Sequence, residues 1–292
     1  MTTARAVSVF WTGAPVLFVL FWAGGYSFAK LGLPYIEPMT MLAIRYGLAA
    51  LCLLPLLALF RPALPREPAH WRAMILSGFL IQCVYFGLAY LAMKQGLGAG
   101  ITAIVMALQP ALVAALSPLV GEARGKPVMW LGLALGFAGV AIGVFDRTST
   151  VPLTAGLLAV SALFGLTAAT LLEKLHGRRS DPVLGGAVQY VVGFAVMLPV
   201  AFATETMEVT WHPDLILSLA YLVVANSLIS ISLYVALVQR GDATRVSTLL
   251  YLVTPLAIAL AWLILGEPVT WRIAFGFVLC LAGVYIVRQS KD

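Results

Sequence analysis

Charge is scarce in this chain. Only 30 of its 292 residues are charged, 18 Lys and Arg against 12 Asp and Glu, where a soluble domain carries about 25%. With 62% of residues apolar and a mean hydropathy of +0.99, a folded chain in water could not keep a polar surface. Soluble enzymes, nucleic-acid binders and disordered scaffolds are excluded, and an integral membrane protein remains. Cysteine is scarcer still. Cys52, Cys83 and Cys280 lie in apolar runs with no C-x-x-C spacing, which argues against a disulfide framework or a thiolate metal site. His70, His176 and His212 fall in connectors, without HExxH or a second histidine at ligand spacing. GEARGKP at 121–127 lacks both the spacing and the hydroxyl of a phosphate-binding loop, so ATP-driven pumping by this chain is excluded. A membrane protease would need a nucleophile–base pair or paired aspartates within an apolar run, and there is neither. No enzyme, cofactor or metal is expected.

What the chain has is apolar length. A transmembrane helix takes about 20 mostly apolar residues to cross about 30 Å of hydrocarbon. Ten such runs divide the chain, approximately 9–29, 38–60, 72–93, 98–120, 127–145, 152–172, 183–203, 214–239, 243–265 and 270–287. Period-two alternation is absent, which disfavours a barrel, and the first run reads as a retained helix rather than a signal peptide. The expected fold class is an all-α membrane protein of ten transmembrane helices. With ten spans, thirteen Lys and Arg fall on the side of both termini and four on the other (Lys30, Lys94, Arg147, Arg272), while Arg45 alone lies well inside a span. The positive-inside rule puts both termini in the cytoplasm of a bacterial inner-membrane protein. The net charge of +6 then faces anionic lipid and requires no nucleic acid.

A shift of 144–145 residues brings the two halves into register. Pro38, Tyr46 and Pro55 fall on Pro182, Tyr190 and Pro199, and Gly96, Pro110, Gly121 and Glu122 fall on Gly241, Pro255, Gly266 and Glu267. Only 5 of 27 positions match between 96–122 and 241–267. Four of them are Gly, Pro and Glu at helix ends and breaks, where backbone geometry is demanding, and the fifth is Ala114 on Ala259. Five helices per half is an odd number, so repeats 1–147 and 148–292 cross the membrane in opposite senses. Inverted repeats of this kind place a transport site between them near the midplane.

Two five-helix units, WAGGYSFAKLGL at 22–33, Arg45 in the second span, and P-x(10)-GE at 110–122 and 255–267 resemble the drug/metabolite transporter superfamily. Within it the chain is most similar to EamA-type ten-helix exporters, and among those to YddG-type exporters of aromatic and other amino acids. The resemblance implies a basket of helices 1, 3, 4, 6, 8 and 9 around a central cavity, with helices 5 and 10 outside and helix 2 peripheral. Small multidrug members of the superfamily couple to protons through a glutamate in helix 1, and no carboxylate occupies that helix here.

Candidate lining residues come from helical spacing. The third span puts Gln82, Tyr85, Phe86, Ala89 and Met93 on one face, and the eighth puts Asn226, Ser230 and Tyr234 on its own. The fourth adds Met106 and Gln109, the ninth Tyr251 and Thr254, the first Trp22 and Tyr26, and the sixth Phe164 and Thr167. Such a chamber would hold an apolar side chain by packing and a zwitterionic head by hydrogen bonds. The same polar residues also read as glue between helices, and their convergence favours the chamber. Pro110 and Pro255 free carbonyls four residues back and permit bending, as would Gly24–Gly25. Arg45, as an intramembrane charge, is a functional candidate by default, but a structural role, bonding carbonyls of a neighbouring helix or reaching outward, is favoured over it. Lys30 and Lys94 read as interfacial anchors, and Glu122 and Glu267 as caps of the next helix in each repeat. Small-residue spacings at Gly132, Gly136, Gly139, Gly143 and Gly276 suit packing inside the bundle, with a dimer interface as the alternative.

The function expected is secondary export of amino acids, by a monomer among membrane lipids, with alternating access between the repeats. Competing readings are export of lipophilic drugs or other small metabolites, and a non-transporting scaffold subunit or a channel.

Overall fold

A computed structural model describes residues 2–121, 126–144, 151–176, 181–230, 233 and 243–289. Side chains are described from residue 13 onward and, in the last stretch, from 252, except at Val144, Lys174, His176, Pro182 and Arg288. Among these residues ten helical rods succeed one another: α1 Thr2–Gly32, α2 Pro38–Phe60, α3 Pro68–Lys94, α4 Ala99–Val120, α5 Val128–Val144, α6 Leu153–His176, α7 Pro182–Thr204, α8 Pro213–Ser230, α9 Ala243–Leu265 and α10 Trp271–Gln289. Seven are apolar and long enough to span a bilayer; α5, α9 and α10 contribute shorter apolar stretches. This matches the ten runs read from the sequence.

Local chemistry sets the helix ends. Proline opens α2, α3, α7 and α8, where its missing N–H is one the helix start leaves unpaired anyway. Asp181 caps α7 by accepting from the amides of Val183 and Leu184. Gly121 (φ 86°) and Gly266 (φ 66°) turn the chain after α4 and α9, so a pair matched in sequence shares a left-handed conformation that only glycine adopts cheaply.

Packing obeys the repeat. The helix pair α2 and α7 lie along one another, as do α5 and α10, while α1 lies against α8 and α9 and its mate α6 against α3 and α4. Between α5 and α10 the small residues cross in matched pairs, Gly132 against Gly283 and Gly139 against Gly276. A Cβ on Gly132 would meet the Gly283 carbonyl at 2.6 Å. These glycine faces are therefore used inside the chain. Leu51, Leu59, Phe60, Leu157 and Leu263 point outward, as lipid contact requires.

Two helices contain π-helical segments, Phe79–Tyr85 in α3 and Tyr221–Ser230 in α8, and the 144-residue shift carries the first onto the second. The expected bends divide. The fourth helix breaks at Ala107–Leu108, just before Pro110, with i→i+3 bonds from both residues. Its mate α9 runs unbroken through Pro255. The first helix also runs unbroken past Gly24 and Gly25, which serve close approach instead: a Cβ on Gly25 would meet Asn226 Nδ2 at 2.7 Å, and one on Gly24 would clash with Tyr221.

Candidate functional site

Arg45 lies on the stripe of α2 that also carries Leu42, Tyr46, Ala49 and Leu53, all buried against the bundle. This stripe turns the guanidinium inward, where the residue is 2% exposed. Nη1 donates to Tyr90 Oη at 2.9 Å on α3. Nη2 donates to Asn226 Oδ1 at 2.7 Å and Ser227 Oγ at 3.2 Å on α8, and Nε reaches the same serine at 3.3 Å. The Phe86 ring sits 4.8 Å from Cζ, within cation–π range. Asn226 passes the connection on, its Nδ2 donating to the Phe21 carbonyl of α1 at 3.2 Å. Among the described residues no carboxylate pairs with Arg45. The outward or carbonyl-bound arginine expected from sequence is thereby corrected: α2, though its other face is exposed, delivers a cation to side-chain oxygens at the junction of the two repeats.

The repeat shift relates this cluster to a second one. Gln189 of α7 is the mate of Arg45, and Gln82 of α3 is the mate of Asn226. Gln82 Nε2 donates to Gln189 Oε1 at 3.3 Å, the counterpart of the Arg45–Asn226 bond. Tyr46 Oη donates to the Gln82 carbonyl at 2.8 Å, and its mate Tyr190 to the Ser227 carbonyl at 3.5 Å. Both acceptors lie in the π-helical segments. Such turns displace carbonyls from the α ladder and concentrate at functional sites, and here each one is met by a tyrosine from a neighbouring helix. Among the described residues, Gln82 Oε1, Ser230 Oγ and Ser27 Oγ are buried with no hydrogen-bond partner, an expensive condition for a polar atom.

The expected lining residues separate into two groups. Tyr26, Gln82, Tyr85, Phe86 and Asn226 form a connected set with Arg45. The Tyr26 and Tyr85 hydroxyls are 3.3 Å apart, and the Tyr85 and Phe86 rings have centroids 4.4 Å apart. Ser230 is buried on the same π-helical segment. Others lie elsewhere. Trp22 packs on Phe18 and Thr254 is buried in α9, whereas Met106 shares one apolar cluster with Tyr85, against which Tyr26 and Phe86 also pack. Gln109, just after the α4 break, donates to Thr170 Oγ1 of α6 at 2.9 Å. Thr167 donates to the Leu163 carbonyl of its own helix. Phe164 is corrected outright: it is 48% exposed on the face of Leu153 and Leu157, turned to lipid. Tyr234 and the side chain of Tyr251 lie outside the described residues, as do Glu122 and the 147/148 repeat boundary. Sequence reasoning weighed Arg45 but favoured a structural role for it, and left Tyr46, Gln189, Tyr190 and Ser227 out of the lining.

One end of the bundle is latched by carboxylates. Glu267 accepts from the Ala99 and Gly100 amides at 2.8 and 3.2 Å and pairs with Lys30 at 3.4 Å. It thus caps α4 of the other repeat, whereas Thr270 caps the adjoining α10. Lys30 also donates to the Leu97 carbonyl, and Lys94 to those of Leu33 (2.5 Å) and Ile36 (3.2 Å). Both lysines are inter-helix clamps rather than free anchors. Glu205 accepts from the amides of Met39 and Thr40, each at 2.7 Å. Reciprocally, Glu37 accepts from the Thr206 amide and hydroxyl and the Met207 amide. The Thr206 hydroxyl, those amides and the nearby Lys94 charge hold the Glu37 carboxyl below the usual range. Beside Lys30 and Glu267 opens a cleft of about 180 Å³ lined by Gly98, Ile101, Ile258 and Ile273.

Comparison with known proteins accords with this architecture. A solved crystal structure at 15% identity superposes with a TM-score of 0.67 over 95% of this chain and 96% of the other, which establishes the fold. An uncharacterized transporter, YvbV, of Bacillus subtilis is 27% identical over 94% of this chain and 90% of its own. A probable amino-acid metabolite efflux pump of Salmonella typhimurium is 25% identical over 93% and 92%, and an uncharacterized inner membrane transporter, YedA, of Escherichia coli is 25% identical over 94% and 91%. The model of the EamA-like transporter family matches twice, over residues 9–145 and 153–289. A ten-helix membrane protein folded as two such repeats, the chain belongs to the EamA-like transporter family.

Proposed function

We propose that this transporter exports amino acids, aromatic and other neutral ones included, across the bacterial inner membrane by alternating access between its two repeats, with both termini in the cytoplasm and the monomer as the working unit. The observation that supports this reading is the polar and aromatic cluster at the repeat junction, where Tyr26, Gln82, Tyr85, Phe86 and Asn226 converge from α1, α3 and α8. Aromatic faces suit an apolar side chain, and unpaired amide and hydroxyl oxygens suit an ammonium. Two relatives carrying the words "amino-acid metabolite efflux pump" in their names favour the same cargo class. Export of cationic lipophilic drugs is disfavoured by Arg45, because two cations in one low-dielectric site repel.

With no acid deep in any helix, transport runs without an obligatory intramembrane carboxylate. Purified protein in liposomes, assayed by counterflow of labelled Phe, Thr and Met, tests this. Accumulation above that of protein-free vesicles, unchanged when a pH gradient is collapsed, is expected. Equal rates with and without protein for all three amino acids would refute the cargo assignment.

A further inference from the structure

A buried arginine without an anion is costly. Moving a cation out of water carries an effective penalty of several kcal/mol even after relaxation, and neutral acceptors recover only part of it. The fold itself shows what this position needs for structure alone. Gln189, related to Arg45 by the repeat, makes the equivalent cross-repeat bond to Gln82 with a neutral amide. Packing between α2 and α7, the tyrosine bonds to the π-helical carbonyls, and the link from α2 to α8 have counterparts on the other side that use no charge. The positive charge is thus surplus to the architecture.

We infer that Arg45 is the counter-ion for a carboxylate on the cargo, so that the carboxylate is the group the site requires and the α-ammonium is dispensable. This rests on reading the repeat junction as the transport site, not on amino acids being the only cargo.

The geometry supports it in three respects. The described acceptors around the cation are all neutral: Nη1 donates to Tyr90, and the Tyr190 hydroxyl stands beside the guanidinium. Of the two N–H groups that such a nitrogen carries, a carboxylate could take one in place of a neutral oxygen. The Phe86 face and the Tyr26–Tyr85 pair flank the cation with aromatic surface suited to the rest of the molecule. No fixed negative charge faces the cluster among the described residues; an ammonium would meet only neutral oxygens such as Gln82 Oε1, which is buried and unpaired. A site with one cation and no anion selects monocarboxylates: amino acids, and equally the hydroxy, oxo or deaminated acids derived from them. It rejects amines and amides of the same shape.

Thermal unfolding of the purified full-length protein tests this without requiring transport. Titrants are phenylalanine, methionine and 3-phenylpropanoate, which carry a carboxylate, against phenylalaninamide and phenethylamine, which do not. At least one carboxylate should stabilise the protein, 3-phenylpropanoate no less than phenylalanine, and the amide and amine should bind about 10- to 150-fold more weakly, the range for a hydrogen bond to a charged group. Arg45→Gln should erase the difference between phenylalanine and phenylalaninamide, and Arg45→Lys, which keeps the charge, should retain part of it. Stabilisation by the amide equal to that by the acid, selectivity surviving in Arg45→Gln, or no response to any carboxylate would overturn the inference. If Arg45→Gln does not fold, the wild-type comparison and Arg45→Lys still decide. Binding of carboxylates by a protein that moves no amino acid would refute the amino-acid cargo and leave this inference standing.

Discussion

Replacing Glu267 by Gln should unlatch one end of the bundle. The carboxylate spans two repeats: its oxygens lie 2.8 and 3.2 Å from the Ala99 and Gly100 amides and 3.4 Å from Lys30 Nζ. Those amides are among the N–H groups that the start of α4 leaves without intrahelical partners. Glutamine keeps the shape, but it offers a single acceptor oxygen and turns an NH2 toward the other amide. One charge-assisted bond is lost and the other becomes neutral. Hydrogen bonds to charged groups are worth roughly 1.5–3 kcal/mol each. Because the Glu267 and Lys30 side chains are about one-fifth exposed (21% and 23%), that must be discounted, leaving about 2 kcal/mol, or a shift of about 30-fold in the opening equilibrium.

Cysteine accessibility reads this directly. In a background carrying Cys52→Ala, Cys83→Ala and Cys280→Ala, Ile258→Cys places a single thiol in the cleft beside the latch, and its maleimide-labelling rate reports the open population. Labelling should rise about 30-fold with Glu267→Gln. Lys30→Gln removes the ion pair but leaves the bidentate cap. A partly exposed pair is worth at most about 1 kcal/mol, so labelling should rise no more than about fivefold. The order of the two variants is decisive. Equal labelling in Glu267→Gln and the parent, or a larger effect from Lys30→Gln, refutes the capping account.

Three further outcomes are expected. Tyr46→Phe and Tyr190→Phe each strip a donor from a π-helical carbonyl, and a buried acceptor left unpaired costs about 1–3 kcal/mol; the 2.8 Å bond of Tyr46 should matter more than the 3.5 Å bond of Tyr190, so Tyr46→Phe should lower the melting temperature further. Gly139→Leu would drive a side chain into the Gly276 backbone across α5 and α10, costing about 1–3 kcal/mol as overpacking does and lowering the melting temperature without altering the preference among carboxylates. Glu37, whose folded carboxyl titrates below its unfolded value, contributes stability that is present above the unfolded pKa and lost as the pH falls through the folded one; acid melting curves of the parent should therefore lose more stability on entering the carboxylate range than those of Glu37→Gln, and parallel curves would refute this.

Much of the fold was legible in sequence because the bilayer imposes a coarse rule. Apolar runs of about 20 residues must become helices when no water can satisfy the backbone, and glycines matched across the repeat must turn. The candidate site was legible only in part. Period 3.6 places Gln82, Tyr85 and Phe86 on one face, but it cannot foresee a π-helical segment, which rotates the remainder of the helix and frees carbonyls for Tyr46 and Tyr190. Phe164 shows the opposite failure: hydrophobicity does not distinguish a face turned to lipid from one turned inward, since both are apolar. Arg45 had a signal, as the only charge deep in a span. Its direction depended on α2 lying along α7, a tertiary fact. Glu267 likewise read as a local cap because its true partner, α4, is 168 residues away along the chain.

The repeat provides an internal control for separating architecture from function. Mates that agree, such as Tyr46 with Tyr190 or Gly121 with Gly266, answer the same backbone demand twice. Mates that differ fall into two kinds. The break in α4 against the continuous α9 is conformational. Inverted repeats in identical conformations would make the two ends of the bundle alike, and a transporter that closes one end at a time needs its halves unequal. Under the alternating access proposed above, such a difference would exchange between the repeats as the cycle proceeds. The difference between Arg45 and Gln189 is chemical and cannot exchange. With Arg45 as the cargo's counter-ion, the charged end of the cargo stays with α2 in every state while the contacts from α8 are made and broken around it. An asymmetric cargo would therefore keep one orientation throughout the cycle, which fits a site where one carboxylate is recognised and nothing else on the cargo need be charged.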